Sequence, residues 1–368
     1  MVNLRMSKKI TTACLVVVCL GLMSGCATPV TAPPLGTSDE FQQERQLQTD
    51  AVYQRIIEDE DRLYDIAFPM MAANTSFCGA MTAPALGMTY WNLPILRKKY
   101  RAAAFSLYNL QDDLAVQHIA HDSPAYRAGI RSGDVVIAVN GQNIPKSAQA
   151  RQAVRDILKR ASFDRIEFSL GRAGKPRQVS VTPVAVCSYG LAYNPNDSAV
   201  NAMSDGKNVI IPRGMMRFAE NDNELALVIG HEMAHNAMGH VDKQSQNALM
   251  GGLGGLLVDS LLSSAGVSSG GEFTRMGQAA GVGRYSVAFE QEADYVGMYF
   301  MERAGYSASG AGNFWRRWAA EDSGMINNRS SHPTSPERFI AITHTYDKIR
   351  QKKSSSQQLV PSFREDQR

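Results

Sequence analysis

The hydrophobic pattern changes period along the chain. Thr11 to Gly25 is a short apolar run behind Arg5, Lys8 and Lys9. Residues 26–40 show no periodicity and are rich in Pro and Thr, the composition of a flexible tether. From about Phe41, the residues Leu47, Val52, Ile56, Leu63 and Ile66 recur on one side of a helix, which the spacing predicts to stop near Pro69. Between 105 and 186 the pattern becomes that of strands with two short helices. Ala115 to Ala120 alternates apolar and polar, Ser123-Pro124 opens a short helix closed by Gly129, and Asp134 to Val139 is a strand ending at Asn140-Gly141. An amphipathic helix follows over Ser147 to Ala161, with Val154, Ile157 and Leu158 inward. The strands Arg165 to Leu170 and Gln178 to Val184 then flank a turn at Ala173-Gly174. Helical periodicity returns after 187. Asn221, Asp222 and Asn223 offer caps to a helix running through Leu225 to Gly230 and beyond, and Val287 to Ala304 forms another. Residues 352–368 are polar and Ser/Gln-rich, which predicts a disordered tail. The sum is an α+β chain, mainly helical, with a separate strand-rich module.

Composition adds a compartment. The chain has 368 residues, 44% hydrophobic and 20% charged, enough for two ordinary cores. Its formal charge of +3 comes from Arg5, Lys8 and Lys9; without them 35 basic face 35 acidic residues. A neutral mature chain argues against a nucleic-acid partner, which needs a basic face. The apolar run is shorter than the ~20 residues of a spanning helix, so a secretory signal is expected. It ends in Leu22-Met23-Ser24-Gly25-Cys26, which resembles a bacterial lipobox, with Met23 where Leu is usual. The resemblance implies lipidation of Cys26 and anchoring through acyl chains; the plain alternative is a signal peptide cut elsewhere. Ala27 and Thr28 after the Cys point to the periplasmic face of the outer membrane by the same resemblance. Cys78 and Cys187 then remain in an oxidising compartment, a disulfide candidate. Two buried thiols are the other reading.

The run Ser123-Pro-Ala-Tyr-Arg-Ala-Gly-Ile-Arg-Ser-Gly-Asp-Val-Val-Ile-Ala-Val-Asn-Gly141 resembles the centre of a bacterial PDZ domain. That implies an extended peptide ligand added to a sheet edge. Asn109 to Leu114, ahead of the first strand, lacks a Gly-rich loop, and its Asp112 and Asp113 would repel a terminal carboxylate. Internal segments or an intramolecular role are therefore as well supported as capture of a free C-terminus. His118 and His121 read as solvated polar positions.

The chemistry lies further on. His231-Glu232-Met233-Ala234-His235 places two imidazoles one helical turn apart, able to reach one metal, with Glu232 beside it as a general base toward water. Hydrolytic zinc sites take a third ligand from another element. Glu290-Gln-Glu-Ala-Asp294 offers Glu290 as that ligand and Asp294 as a carboxylate that receives a hydrogen bond from a ligating histidine. Glu292 points elsewhere on its helix, and His240, five residues and about 500° after His235, falls away from the metal face. Both are read as structural. Leu249 to Gly283 is glycine-rich, with an apolar stretch too short to span a bilayer; it is either a lid or substrate contact near the cleft, or a packed helix and loop.

Residues Asn196 to His240, with Glu290 to Asp294, resemble zinc metallopeptidase family 48, which includes HtpX-like and CAAX prenyl proteases. Asn201-Ala-Met203 matches the family's Asn-Ala-aromatic start, with Met203 in the aromatic place. The family's transmembrane helices are absent from the pattern, so the resemblance is to a periplasmic lipoprotein branch. It implies a gluzincin fold with a small β-hairpin and edge strand, one Zn2+ on His231, His235 and Glu290, and Glu232 as base. Strands near Asn208 to Met215 would present the edge to substrate. Ser331-His332-Pro333 and Arg338 match a further family element beside the active site. His332 either stabilises an oxyanion or competes for the open metal position, and Arg338 either binds carbonyls or pairs Glu337 or Asp294. A capping loop is the plain reading of both.

The expected organisation is a signal over 1–25, a tether over 26–40, an N-terminal helical part over 41–104, a PDZ-like domain over 105–186, a peptidase domain over 187–351 and a tail over 352–368. The expected function is membrane-anchored periplasmic cleavage of unfolded or misassembled envelope proteins. The rival is a latent or non-catalytic lipoprotein serving as an assembly chaperone or scaffold.

Overall fold

The structure, a computed structural model, describes residues 31, 33–264, 269–321, 332 and 335–363. The apolar run and Cys26 lie outside the described residues. The chain divides into two compact units, 1–48 and 49–368. In the first, Thr37 and Glu40 form a reciprocal cap: the Glu40 N–H donates to Thr37 Oγ1 at 3.3 Å, and the Thr37 N–H donates to Glu40 Oε2 at 2.6 Å. This starts helix α1 (Ser38–Ala73), which begins inside the expected tether. The helix also runs through Pro69 rather than stopping there. A proline inside a helix costs about 3 kcal/mol. Burial of Ile66, Phe68, Met70 and Met71 around it outweighs that cost, at about 1.5–3 kcal/mol per large side chain.

In the second unit a two-stranded ribbon pairs β1 (Thr82–Ala85) with a later strand. Next come β2 (Met88–Trp91), α2 (Arg101–Tyr108), β3 (Ala115–Ile119), α3 (Pro124–Arg127), β4 (Val135–Val139), β5 (Gln142–Asn143), α4 (Ala150–Ala161), β6 (Ile166–Arg172), β7 (Lys175–Val181) and β8 (Val184–Cys187). Strands β2-β3-β4-β6-β7 form one antiparallel sheet in that order, with β5 on β4. Leu114, Val116, Val136, Ile166, Phe168 and Leu170 fill it, with Val154 and Ile157 of α4 packed against them. This module begins at 88, not 105. The run Met88 to Trp91 is too short to declare itself except through its pairing with β3. The ribbon β1–β8 lies outside that sheet, and Cys78 and Cys187 are bonded beside it, their Cα atoms 5.6 Å apart.

The remaining chain supplies β9 (Gly190–Asn194), β10 (Met203–Ser204), β11 (Asn208–Pro212), α5 (Arg213–Phe218), α6 (Asp222–Ala237), α7 (His240–Ser264), α8 (Glu272–Arg303), α9 (Ala311–Glu321) and α10 (Pro336–Ser354). Its sheet runs β10-β11-β9. The edges are therefore β10 and β9, while β11, the expected edge, sits in the middle. The glycine-rich segment is a helical hairpin of α7 and α8: a Cβ on Gly255 would lie 2.0 Å from the Phe273 carbonyl oxygen, so only glycine permits that approach. The tail is not disordered over 352–363. Helix α10 extends to Ser354, the Leu359 carbonyl accepts from Arg303 Nη1 at 3.2 Å, and the Ser362 N–H donates to Tyr295 Oη at 2.8 Å. Partners far away in sequence hold it.

Candidate metal centre

Asn221 accepts from the Glu224 N–H at 3.1 Å and starts α6, whose residues Leu225 to Asn236 are all buried. Helix α8 crosses it at Gly230 and Gly297: a Cβ on Gly297 would come 2.8 Å from the Gly230 carbonyl carbon and the His231 nitrogen. This backbone contact sets the distance between His231 and His235 on one helix and Glu290 and Asp294 on the other.

His231 Nε2 lies 3.3 Å from Glu290 Oε2 and 3.1 Å from His235 Nε2, and His235 Nε2 lies 3.3 Å from Glu290 Oε1. His332 joins them, its Nδ1 3.0 Å from Glu290 Oε2 and 3.3 Å from His231 Nε2. One ligand atom from each of the four falls within 4.8 Å of the others. A tetrahedron with bonds of about 2.0–2.1 Å has edges of about 3.3 Å, so these spacings suit one small divalent cation.

Charge and satisfaction point the same way. Glu232, Glu290 and Asp294 are buried carboxylates facing one buried guanidinium, Arg338, an excess of negative charge that a dication offsets. Both Glu232 oxygens are buried without a hydrogen-bond partner among the described residues, and His332 Nε2 is 3.6 Å from Oε1. An orphaned carboxylate beside a donor cluster is the arrangement expected of a base awaiting water.

Burial alone would lower the His231 imidazole, but hydrogen bonds to Asp294 and Glu290 and their charges lift it to about 10. For His235 burial prevails and pushes the ring down. Burial would raise Glu290, yet the charge of His332 and hydrogen bonds from the three histidines hold its carboxyl well below the usual range. The cluster thus draws positive charge onto itself.

Asp294 backs His231, whose Nδ1–H donates to Oδ1 at 3.0 Å. Arg338 grips Asp294 with Nε to Oδ2 at 2.8 Å and Nη2 to Oδ1 at 2.9 Å, and its Nη1 reaches Glu290 Oε2 at 3.3 Å. The guanidinium also lies over Trp315, 4.9 Å from the ring centroid. Arg338 is thus buried among the site's own carboxylates, which favours the Asp294 pairing over contact with Glu337. His332 Nε2 donates to the Ala202 carbonyl at 3.2 Å, leaving Nδ1 to face the cluster. Ala202 precedes β10, so β10 is the edge strand beside the site.

Two sequence readings change. His240 stays outside the four-donor cluster, as expected, but it is in contact with one of the donors. Gly239, with φ +65, breaks the helix, and the chain turns so that His240 Nδ1 sits 3.0 Å from His235 Nδ1. His118 is not solvated: it is buried against Asp61, with Nε2 3.3 Å from Glu60 Oε2, whereas His121 is exposed and 2.8 Å from Asp65.

A cavity of about 760 Å³ opens away from this centre, walled by β2, α4, α1 and β9; Tyr64, Leu86, Tyr90, Arg151, Leu158 and Leu191 line it. The two residues entering its edge strand β2 are Leu86 and Gly87, and Gly87 has φ +76. Asp112 and Asp113 precede β3, one strand inward, so their charge does not guard this edge.

Comparison with known proteins agrees with the architecture. Peptidase family M48 matches residues 187–346, and the PDZ domain family matches 118–165. The beta-barrel assembly-enhancing protease of Yersinia pestis is 28% identical over 160 residues, covering 41% of this chain and 31% of that protein. Metalloprotease YcaL of Escherichia coli K12 is 29% identical over 232 residues, covering 61% of this chain and 84% of that protein. A probable periplasmic serine endoprotease of Marinomonas, DegP-like, is 29% identical over 132 residues, 33% of this chain and 26% of that protein. The match to the assembly-enhancing protease spans less than a third of that relative's length. The paired histidines and the carboxylates of the crossing helix fall in the part of the chain that is similar to peptidase family M48, and the six-stranded module contains the part that is similar to a PDZ domain.

Proposed function

We propose that this chain is a zinc metalloendopeptidase with one Zn2+ held by His231, His235 and Glu290. The observation that carries this is the buried Glu232 carboxylate, without a hydrogen-bond partner among the described residues, beside four converging donors. When bound, zinc supplies Lewis acidity that brings the pKa of water from 15.7 to about 7. Glu232 takes the proton from the attacking water at a carboxylate oxygen and delivers it to the leaving amine. Asp294, fixed by Arg338, keeps the His231 proton on Nδ1 so that Nε2 faces the cluster. An extended substrate segment pairs with β10, adding a strand.

Only unfolded or flexible chain pairs that way, so the substrates are unfolded or misassembled envelope proteins. The relatives' names, an assembly-enhancing protease and a periplasmic endoprotease, support that class and compartment. Lipid on Cys26 holds the enzyme at the inner face of the outer membrane. Among the described residues no helix is long and apolar enough to cross a membrane. The PDZ module recruits peptide at the edge of β2, in the cavity shared with α4 and α1.

One observation favours a latent form. His332 Nδ1 completes a four-donor set, the closed arrangement of structural zinc sites, whereas hydrolysis needs an open position. In this arrangement His332 must leave before substrate enters, and the scaffold reading describes a chain in which it never does. The test is zinc content and cleavage of an unfolded protein by the mature chain and by Glu232→Gln. The variant retains metal and loses cleavage; full activity in it removes Glu232 from the mechanism.

A further inference from the structure

We propose that His240 and Glu292 form a relay that fixes His235 in its metal-binding tautomer, which makes His240 a positioning residue of the site. This rests on the reading that His231, His235 and Glu290 hold zinc.

His240 is 1% exposed and opens α7 immediately after the turn at Gly239. Its ring stacks on Phe289 of α8, centroids 4.6 Å apart and planes 15° from parallel. Nδ1 faces His235 Nδ1 at 3.0 Å, and Nε2 faces Glu292 Oε2 at 2.8 Å. Glu292 is two residues from Glu290 on the same helix, so α8 supplies both a donor to the cluster and the end of this relay.

Two facing ring nitrogens can share only one proton, and its side determines the sense of the whole chain. A neutral imidazole that offers Nε2 to a metal carries its proton on Nδ1. That proton on His235 points at His240 Nδ1, which must then present a lone pair. The proton of His240 therefore resides on Nε2 and donates to Glu292. The opposite sense puts a proton on His235 Nε2, inside the donor cluster, and sets the bare Nε2 of His240 against a carboxylate. It blocks ligation and creates a repulsion at once. The Glu292 carboxylate thus selects the ligating form of His235, across an intervening ring. His231 reaches the same end by direct contact with Asp294. Side-chain partners of this kind set metal affinity by 10–100-fold. Glu292, with its side chain 44% exposed, is partly screened by water and contributes less than His240.

The test is a competitive chelator titration of zinc on the full mature chain, comparing wild type with His240→Phe, His240→Asn and Glu292→Gln. Phenylalanine keeps the ring stacked on Phe289 but has no nitrogen, and zinc affinity is expected to fall about 10–100-fold. Asparagine is smaller and packs worse, yet its side-chain oxygen accepts the His235 proton, so it retains more affinity than phenylalanine. Glu292→Gln, still an acceptor but uncharged, loses less than His240→Phe. A purely packing role for His240 gives the reverse order, phenylalanine equal to wild type and asparagine the weaker binder, and that order overturns the relay. If His240→Phe fails to fold, Glu292→Leu against Glu292→Gln asks the same question: the relay requires leucine to bind zinc more weakly than glutamine, and equality overturns it. Wild type that takes up no zinc in the same titration removes the metal reading itself, a result distinct from wild type and His240→Phe binding equally well.

Discussion

Replacing Gly297 by alanine tests whether the helix crossing sets the site. The added methyl would stand 2.8 Å from the Gly230 carbonyl carbon and the His231 nitrogen and 2.9 Å from the Gly230 oxygen. Relief to ordinary contact near 3.5 Å moves the backbones apart by roughly 0.7 Å. Overpacking of this kind costs about 1–3 kcal/mol, and alanine returns about 1 kcal/mol of helix propensity, leaving a net loss of about 1 kcal/mol. The displacement acts at the backbone of His231, so Glu290 recedes from it by a comparable amount. Binding constellations tolerate only about 0.5 Å, and zinc affinity is therefore expected to fall about tenfold. Gly254 is the control, an exposed helical glycine whose Cβ would meet nothing within 4 Å. Gly254→Ala gains stability and leaves zinc unchanged. Urea denaturation of the metal-free proteins and chelator-competed zinc titration measure both quantities. If Gly297→Ala behaves like Gly254→Ala in both assays, the crossing does not set the ligand distance.

Two further outcomes concern the rest of the fold. The bond between Cys78 and Cys187 closes a loop 109 residues long, and removing it with the double serine variant is expected to cost about 4 kcal/mol in urea denaturation; a loss below 1 kcal/mol would mean that the denatured chain gains nothing from the constraint. His118 is pushed down by burial but raised overall by Asp61 and Glu60, so its ion pairing stabilises the fold fully below an unfolded value near 6.5 and fades as pH rises through the higher folded value. With Asp61 more than half exposed, His118→Gln should cost about 1 kcal/mol at pH 5.5 and progressively less by pH 9; a cost that grows with pH reverses the assignment.

Legibility in the sequence followed the range of the interactions. His231 and His235, and Glu290 and Asp294, each occupy one face of one helix, so spacing alone places each pair. What joins the pairs is a crossing between Gly230 and Gly297, and no periodicity announces it. The contact of His240 with His235 was missed by carrying the helix through Gly239, although a glycine just past the last helical residues is a stop signal that could have been used. Strand β2 escaped because four residues between Gly87 and Asn92 reveal a sheet only when β3 pairs with them. The edge beside the site was assigned to the more apolar β11, while the strand order gives it to the two-residue β10. Pro69 and the 355–363 segment were judged by local chemistry, and tertiary burial and distant hydrogen bonds overrode it.

The most direct test of the account is the rate at which zinc-loaded wild type and His332→Ala cleave an unfolded protein, measured at equal, verified zinc occupancy. With His332 seated as a fourth donor, its removal opens the position that substrate needs, so the variant is expected to retain one zinc per chain and to cut faster than wild type. A variant that keeps its zinc and cuts more slowly would assign His332 to catalysis. A wild type and variant that both hold zinc and cut nothing would contradict the peptidase reading.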